Sequence, residues 1–578
     1  MQNIGYETPE TPPSVFRMEP AGARAPAFCN SLGEEGNSMT ASALSRRGFL
    51  KGSGLAASAA ILAGCGSKRA SEATGSAAGS AAGAVAGADT ITYGQGAEPR
   101  SLDPAIYDDG ESAKVAVQVY ENLVKYEDDS TEIVPSLADS WEISDDGLTY
   151  TFHLHEGVKF TDGEPFTADA VKKNYDRMLE PNRTDDMPYA SFVFGTPSEG
   201  TGVDQITAVD DTTLEIHLVA PNTPFLRTLA MCTAPVIASP KAIEAGTLGE
   251  QPVGTGPFVF KSWTKGSNIV LERNEDYWDK DNMPSVKNVV FQFIAENASR
   301  VQALTTGTCD LIDGIDDSVV DEIKGADGYD VWAGEGMTIN YLAFNTQSDT
   351  FKDQAARQAV AKAINVEELV DKLYGEYGEV ANSIMPAAVA DYTSDIEQTA
   401  YDPDAAKKEL ADLGITSVKC ITYSNPRPYN PKNGQVLAET IQGYLSEVGV
   451  TMDITPYDWT AYKEEVSKGD FDICFYGWQG DNGDPDNFMN LLADSDPAMN
   501  VARFDDADYK ALIDQAVATP DGDEREGLYH QLEEIAAEKQ PWVPLNHTKN
   551  LVGQSTKVTG WVFHTTGVIR LEHATKEA

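Results

Sequence analysis

An acidic loop beside a tryptophan is the part of the sequence most able to do chemistry. The stretch FDICFYGWQGDNGDPDNF, residues 471–488, begins as an apolar run and ends as a loop with Asp481, Asp484 and Asp486 behind Trp478. Carboxylates in such a loop can hold a metal ion, carry out acid–base catalysis or bind a positively charged group. The spacing of the residues separates these three possibilities.

Neither a metal site nor a hydrolytic site fits this spacing well. An EF-hand calcium loop needs acidic or amide residues at its first, third and fifth positions. Counting from Asp481 puts Gly483 third, and counting from Asp484 puts Phe488 fifth. Two carboxylates about 5–10 Å apart could serve a hydrolase, but no G-x-S-x-G, H-E-x-x-H or phosphate-binding motif accompanies them. The sequence therefore predicts no metal, no cofactor and no enzymatic activity.

Binding of a positively charged group is the third possibility. A carboxylate in a desolvated cleft is costly unless a cation pairs with it, and Trp478 would add cation–π attraction to an ammonium group. A second loop, SNPRPYNP, offers Arg427 for bidentate binding of a carboxylate and Tyr429 as an aromatic wall. With Asp481, this pair of charges would suit a zwitterion such as a short peptide. The alternative, that Arg427 and Asp481 serve only local structure, stays open.

Alternating helices and strands must position the two loops. From about residue 400, helices predicted in YDPDAAKKELADLGI, GQVLAETIQGYLSEVG and WTAYKEEVSKG alternate with strands in SVKCITY, VTMDITPY and FDICFYGW. This alternation predicts a mostly parallel sheet with covered faces. Ligands of open α/β sheets lie at the carboxyl ends of the strands. Because both loops follow such ends, we expect them to face one cleft.

The preceding part of the chain is richer in strands. In LTYTFHLHEGVKF, Tyr150, Phe152 and Leu154 alternate with polar residues, which is typical of a half-exposed strand. The next segment, 167–179, is predicted to be a helix with Thr167 as its N-cap.

The first 64 residues have the features of an export signal. SRRGFLK contains the Arg46–Arg47 pair of a twin-arginine signal, and a short apolar segment follows it. LAGC ends at Cys65 and resembles a lipobox, whose cysteine becomes the lipidated first residue of the mature chain. The alternative is a chance cysteine after an ordinary signal. We expect twin-arginine export and a lipid anchor on the outer face of the cytoplasmic membrane. Met39 is an alternative translation start that would still leave a normal signal.

Composition limits the remaining possibilities. Residues 65–89 are rich in Gly, Ala and Ser, which predicts a flexible tether before a folded body of about 490 residues. The net charge of −48 argues against nucleic-acid binding, which needs a basic patch. The body has four cysteines without metal-binding spacing, and we expect mostly free, buried thiols. They are Cys232, Cys309, Cys420 and Cys474.

Several blocks of the chain resemble the extracellular solute-binding proteins of peptide and nickel ABC importers, family 5. The likeness runs from about Thr90 to the end. Its blocks are LADSWEISDDGLTYTFHLHEGVKFTDGEPFTADAV, GTGPFVFKSW with NEDYW, NYLAFNTQ with ARQAVAKAIN, and YDPDAAKKELADLG. RPYNP and GWQGDNGDPDNF look most like the motifs of the dipeptide-binding members.

The resemblance implies an α/β fold with two lobes, of the periplasmic-binding-protein type with a large cleft (class II) and an extra subdomain in the first lobe. The implied boundaries are 90–337 for lobe I, with the subdomain at about 125–245, then 338–550 for lobe II and 551–578 for a return to lobe I. A hinge between the lobes would let them close on a ligand.

The resemblance also implies roles for individual residues. Asp481 would hold the α-amino group of a peptide, and Arg427 its α-carboxylate. Tyr429, Gly477 and Trp478 would line the cleft. In the first lobe, Gly110 would offer backbone contacts, whereas Asp108 stands where a small hydroxyl residue is expected.

The function implied is a monomeric, lipid-anchored receptor that passes dipeptides or similar short peptides to an ABC permease and its ATPase. The same fold could instead bind an oligopeptide, glutathione, haem or a nickel chelate. A secreted hydrolase is the alternative from a different class of protein, and it would need a nucleophile or base that the motifs do not supply.

Overall fold

Residues 87–577 are the part of the chain described by the structure, a computed structural model. The predicted export signal, with Arg46, Arg47 and Cys65, lies outside the described residues, as does most of the predicted tether. The signal and the lipid anchor therefore stay predictions.

The strands fall into two large sheets, one four-stranded sheet and three small pairs. In chain order the strands are β1 (Thr90–Gln95), β2 (Val124–Tyr126), β3 (Ile133–Pro135), β4 (Ala138–Ile143), β5 (Thr149–Leu154), β6 (Val203–Ala208), β7 (Thr213–Leu218), β8 (Phe258–Thr264), β9 (Asn268–Arg273), β10 (Asn288–Phe293), β11 (Leu311–Ile312), β12 (Tyr329–Gly334), β13 (Thr338–Phe344), β14 (Gly378–Val380), β15 (Ser417–Tyr423), β16 (Thr451–Tyr457), β17 (Ile473–Gln479), β18 (Trp542–Thr548), β19 (Asn550–Ser555), β20 (Val558–Thr559), β21 (Val562–Phe563), β22 (Ile569–Arg570) and β23 (Thr575–Lys576).

The helices cover the sheets and are mostly short. They are α1 (Gly110–Ala116), α2 (Ala168–Asp176), α3 (Ala190–Phe194), α4 (Phe225–Thr228), α5 (Pro240–Ala245), α6 (Asn297–Thr305), α7 (Val320–Lys324), α8 (Gln354–Lys362), α9 (Val366–Tyr374), α10 (Pro403–Asp412), α11 (Gly434–Glu447), α12 (Trp459–Lys468), α13 (Asp486–Met489), α14 (Ala507–Ala518) and α15 (Asp523–Lys539).

Each large sheet forms the centre of one lobe. Lobe I has the order β12-β19-β11-β1-β10-β9-β8, and lobe II has the order β14-β18-β13-β17-β15-β16. The chain leaves lobe I between β12 and β13 and returns between β18 and β19, so two short connections join the lobes. Lobe II has its own continuous hydrophobic core. These two crossings lie close to the lobe boundaries implied by the resemblance, and those boundaries stay a prediction.

A subdomain with its own core precedes the last strands of lobe I. Its four-stranded antiparallel sheet has the order β4-β5-β7-β6. Tyr150, Phe152 and Leu154 of β5 are buried in that core, which confirms the predicted alternation. Thr167 caps α2 by accepting a hydrogen bond from the Ala170 N–H, as predicted. The helix ends at Asp176, three residues before the predicted end.

The alternation of helices and strands predicted for lobe II is confirmed, with one correction. Asp402 caps α10, and the apolar face predicted for α11 is buried, with Leu437, Ile441 and Leu445 fully inaccessible. The predicted parallel pairing is confirmed for β15, β16 and β17, the strands of that alternation, but the prediction of a mostly parallel sheet is wrong for the sheet as a whole. The strand β15 pairs in parallel with β16 and β17, but β13 is antiparallel to both β17 and β18, and β14 is antiparallel to β18.

The mixed sheet follows from the two connections between the lobes. Strand β13 begins where the chain enters lobe II, and β18 ends where the chain leaves it. Both points lie at the edge of the sheet that faces lobe I, so the two strands must run in opposite directions. In the pairing of β13 with β17, Thr338 lies opposite Gln479. The carboxyl ends of β17 and of its parallel neighbour β15 therefore also lie at this edge.

Candidate functional site

A cavity of about 430 Å³ lies between the two lobes at this edge. It brings together every ligand-binding residue predicted from the sequence. Those residues are Asp108, Gly110, Arg427, Tyr429, Gly477, Trp478 and Asp481. Their individual roles in binding stay predictions.

Two strand ends supply the charged part of the cavity. Arg427 and Tyr429 follow β15, and Asp481 follows β17, which itself carries Gly477 and Trp478. The loop after β15 is closed by two backbone hydrogen bonds between Arg427 and Asn430, with N···O distances of 3.0 and 2.9 Å. This tight turn projects the Arg427 side chain from the end of the strand toward the cavity.

In the described part of the chain, only neutral groups contact the carboxylate of Asp481. The Tyr189 hydroxyl donates to Oδ1 over 2.7 Å, and the Asn487 side-chain amide donates to Oδ2 over 3.2 Å. Burial raises the pKa of Asp481 above its usual value, and these two hydrogen bonds offset part of that rise. Among the described residues, no basic side chain forms an ion pair with Asp481, so a cationic ligand group would find an unneutralised partner there.

Asn487 fixes the orientation of the acidic loop. Its side-chain Oδ1 accepts hydrogen bonds from the backbone N–H of Asp481, at 2.9 Å, and from the indole N–H of Trp478, at 3.0 Å. One buried amide thus holds the predicted carboxylate and the predicted aromatic wall in a fixed relation. The spacing between Asp481 and Asn487 gave no signal of this role in the sequence.

Arg427 lies on an aromatic surface. Its guanidinium carbon is 3.9 Å from the ring centroid of Trp459. Its Nε and the hydroxyl of the buried Tyr429 have no hydrogen-bond partner among the described residues. Burial raises the pKa of Tyr429, and the nearby guanidinium lowers it in part. Within the described chain Arg427 forms no ion pair, so its charge is also left for a ligand.

Gly477 makes room for the ring of Tyr429. A Cβ atom at this position would lie 2.3 Å from Cδ2 of Tyr429 and 2.5 Å from the carbonyl oxygen of Ile339. Because neither the strand backbone nor a buried ring can move far, any side chain here would displace the aromatic wall. The close approach of the Tyr429 ring therefore explains why residue 477 is a glycine.

Lobe I contributes the opposite wall. Gly110 is the first residue of α1, and Asp109 caps that helix by accepting a hydrogen bond of 2.9 Å from the Ser112 N–H. Asp108 and Asp109 both form ion pairs with Arg100. The carboxylate of Asp108 is therefore neutralised within lobe I, in contrast to that of Asp481.

Asp484, the neighbouring acid in the loop, is not part of the cavity lining. It is fully buried, and its Oδ1 accepts a hydrogen bond of 2.7 Å from Nη2 of Arg525. A hydrolase would need a second free carboxylate near Asp481, and Asp484 is occupied by this ion pair. The carboxylate pair considered in the sequence is therefore split between the ligand cavity and the protein interior.

Sequence reasoning missed Tyr189 and Trp459, which both line the cavity. Tyr189 lies in the subdomain, 292 positions from Asp481 along the chain. Trp459 begins α12, between the two strands that carry the predicted loops. Its place at the start of a predicted helix is a weak signal, because a tryptophan at a helix start can equally belong to the core.

The described residues hold no group of three or more His, Cys, Asp or Glu side chains arranged to bind a metal ion. No helix between residues 87 and 577 is long and apolar enough to span a membrane. The four cysteines of the body are free, which confirms that prediction, although Cys232 is half-buried and lines the cavity.

Comparisons with known proteins agree with this geometry. The family model described as bacterial extracellular solute-binding proteins, family 5, matches residues 132–500. The chain is 33% identical to Heme-binding protein A of Haemophilus influenzae, over 82% of this chain and 90% of that protein. It is 30% identical to the Dipeptide-binding protein of Escherichia coli, over 85% of this chain and 95% of that protein.

A solved structure supports the fold. The periplasmic binding protein DppA from Helicobacter pylori, in complex with the peptide STSA, superposes with a TM-score of 0.70 and 30% sequence identity. The match covers 85% of this chain and 98% of that one. The predicted two-lobed α/β fold is thereby confirmed.

Proposed function

Because the chain belongs to family 5 of the bacterial extracellular solute-binding proteins, we propose that it captures dipeptides or similar short peptides and delivers them to an ABC permease. The observation that carries the proposal is one cavity with two opposite charges, Asp481 and Arg427, neither of which has an ionic partner among the described residues. A zwitterion would neutralise both. Charges removed from water are costly unless they are paired, and the ligand would supply an ammonium group for Asp481 and a carboxylate for Arg427.

The ligand would be held at its two ends. The ammonium group would bind the Asp481 carboxylate, with Trp478 as an aromatic neighbour, and the carboxylate would bind Arg427 beside the Tyr429 hydroxyl. The fixed separation of the two groups would select for peptide length. Side chains would occupy the rest of the cavity, which is wide enough to accept different ones.

Closure of the lobes would couple binding to transport. Several hydrogen bonds cross the cleft in this structure, including those from Tyr189 to Asp481 and from Tyr126 to the carbonyl oxygen of Asn482. A ligand that contacts both lobes stabilises the closed arrangement relative to the open one. The permease and its ATPase would then recognise the closed protein.

The proposed location follows from the sequence. Export through Arg46 and Arg47, followed by lipidation of Cys65, would hold the protein on the outer face of the cytoplasmic membrane, with residues 65–89 as a tether. The protein would act there as a monomer.

Haem is the second candidate ligand, because a relative at 33% identity is named Heme-binding protein A. The cavity offers Cys232 and several tyrosines as iron ligands, but no histidine is among the described residues that line it. A shift of the haem absorbance band on titration, with no binding of dipeptides, would favour this candidate.

The experiment is calorimetry with alanyl-alanine, its N-acetyl form and its C-terminal amide. We expect each modified peptide to bind at least about 100-fold more weakly, because each leaves one partly buried cavity charge unpaired. Asp481→Ala should weaken binding of alanyl-alanine by a similar factor and abolish discrimination against the N-acetyl form. Arg427→Ala should do the same for the amide.

The matched control is Asp470→Ala, which removes an exposed carboxylate from the opposite edge of lobe II. Its affinity for alanyl-alanine should equal that of the unaltered protein. Unchanged affinity in Asp481→Ala would refute the assignment of the amino-group site. Tighter binding of tetra-alanine than of alanyl-alanine would replace dipeptides by oligopeptides as the ligand.

A further inference from the structure

Trp459 contacts Arg427, the cavity cation to which the proposed function assigns the ligand carboxylate. The guanidinium carbon of Arg427 is 3.9 Å from its ring centroid. An arginine over an indole face is attracted by the ring quadrupole, and this attraction grows as water is excluded. The stack also covers one face of the planar guanidinium, so ligand atoms approach along its edge, where the N–H groups lie.

The position of the indole is itself well fixed. Trp459 is the first residue of α12, and Asp458 caps that helix by accepting hydrogen bonds of 3.1 and 3.2 Å from the N–H groups of Thr460 and Ala461. The ring packs edge-on against Tyr423, at 5.8 Å between centroids, and lies 5.5 Å from the ring of Tyr476. These neighbours belong to β15 and β17, the strands that carry the two ligand loops.

The guanidinium of Arg427 has different contacts from that of Arg300, an arginine whose role is structural. Arg300 in lobe I donates hydrogen bonds from all three guanidinium nitrogens to backbone carbonyls, with distances of 2.6–3.1 Å. Arg427 forms no ion pair among the described residues, and its Nε has no hydrogen-bond partner. The indole is thus the fixed surface against which this guanidinium is held, and its donors stay available.

We infer that Trp459 is a positioning residue for the ligand carboxylate, acting through Arg427. The inference rests on the proposed function, since it requires that Arg427 bind the carboxylate of the ligand. The stack would hold the guanidinium plane in the orientation for two parallel N–H···O bonds before the ligand arrives. Preorganisation of this kind lowers the ordering cost of binding.

The test measures how well three proteins discriminate alanyl-alanine from its C-terminal amide. In Trp459→Leu, we expect affinity for the free acid to fall about 10-fold and affinity for the amide to fall less than about 2-fold. Trp459→Phe keeps a smaller aromatic face, so its loss for the free acid should be about 2- to 3-fold. Discrimination should therefore decrease in the order Trp, Phe, Leu.

A purely structural role of Trp459 would lower both affinities equally and leave the ratio unchanged, and that result would overturn the inference. If the leucine variant does not fold, the phenylalanine variant decides by the same ratio. Failure of the proposed function would look different, because the unaltered protein would then bind the acid and the amide equally. In Arg427→Ala, adding Trp459→Leu should cause no further loss of discrimination.

Discussion

Two regions of lobe II treat a similar pair of charges in opposite ways. In the interior, Arg525 lies over the ring of Tyr529, with 4.9 Å from guanidinium carbon to centroid, and donates to Asp484 over 2.7 Å. In the cavity, Arg427 lies over the ring of Trp459 but has no carboxylate partner among the described residues. Both arginines rest on an aromatic ring, and only the interior one has its anion.

The carboxylates show the same contrast. Asp484 and Asp481 are three positions apart, yet Asp484 is paired with Arg525 while Asp481 is contacted by the neutral groups of Tyr189 and Asn487. A charge that is paired inside the protein serves the fold. A charge that is desolvated and left unpaired in a cavity serves a ligand, because the protein alone would gain nothing from burying it.

Breaking the interior pair should have the largest effect. Arg525→Met would leave the buried Asp484 with only the longer ion pair to Arg227, 3.6 Å between Oδ2 and Nη1, so we expect the free energy of unfolding to fall by about 3 kcal/mol, the lower end of the range for a broken buried pair. Urea denaturation measures this change. The double variant Arg525→Met/Asp484→Leu, which removes both charges, should recover much of the loss.

Comparing Arg525→Met with Asp481→Ala tests whether the interior charge and the cavity charge contribute differently to stability. Asp481→Ala, which removes the cavity carboxylate, should change stability by less than about 1 kcal/mol while it weakens ligand binding. If Asp481→Ala destabilised the protein as strongly as Arg525→Met, the cavity charge would be a structural one and the contrast would be wrong.

Glu533 is a third buried carboxylate, and it differs from Asp484 and Asp481 because it keeps its proton. Glu533 is 2% exposed and accepts a hydrogen bond from the Ser383 hydroxyl at Oε1, and its Oε2 has no partner within residues 87–577. Burial raises its pKa to about 7, while the hydrogen bond from Ser383 lowers it in part. Glu533 thus remains protonated in the folded protein at pH values where the unfolded chain has already ionised it.

The sign of the resulting pH dependence follows from proton binding. Between the unfolded and folded pKa values, the folded protein binds the extra proton, so stability decreases as the pH rises. We expect the contribution of Glu533 to fall by on the order of 2–3 kcal/mol from roughly pH 5 to pH 8. Urea denaturation across this range measures the slope, and Glu533→Gln should flatten it. An unchanged slope in that variant would show that Glu533 is ionised in the folded state.

The sequence predicted those parts of the molecule that depend on local order. The helix and strand alternation of lobe II, the caps at Thr167 and Asp402, and the strand-end loops of Arg427 and Asp481 all follow from patterns within a few residues. The direction of β13 and β18 was not predicted, because it depends on where the chain crosses between the lobes.

Sequence reasoning missed several site residues for the same reason, because their roles depend on contacts between distant parts of the chain. Trp459 and Asn487 act through contacts with Arg427 and Asp481 that only the folded chain creates. Tyr189 comes from the subdomain, 292 positions away along the chain, and its hydroxyl donates to Asp481 across the cleft. Local patterns identify charged groups for a ligand, but they do not identify the neutral groups that hold those charges in place.

Tyr189 provides the test with the smallest expected effect, and it concerns one hydrogen bond to the cavity carboxylate. That bond, 2.7 Å long, lowers the pKa of Asp481 against the rise caused by burial, and it crosses the cleft. In Tyr189→Phe we expect about 10-fold weaker binding of alanyl-alanine, because closure loses a bond to a charged group. Since binding requires ionised Asp481, its loss on acidification should begin at a higher pH than in the unaltered protein.

The control is Tyr126→Phe, which removes another hydroxyl at the cleft, one that lies 2.7 Å from the carbonyl oxygen of Arg227 and 3.1 Å from that of Asn482 on the other side. This variant should weaken binding but leave the pH midpoint of binding unchanged, because Asp481 keeps its donor. Calorimetry over a pH series separates the two effects. Equal midpoints in Tyr189→Phe and Tyr126→Phe would mean that Tyr189 joins the lobes without tuning the carboxylate, and the contrast between paired and ligand-directed charges would then rest on Asp481 and Arg427 alone.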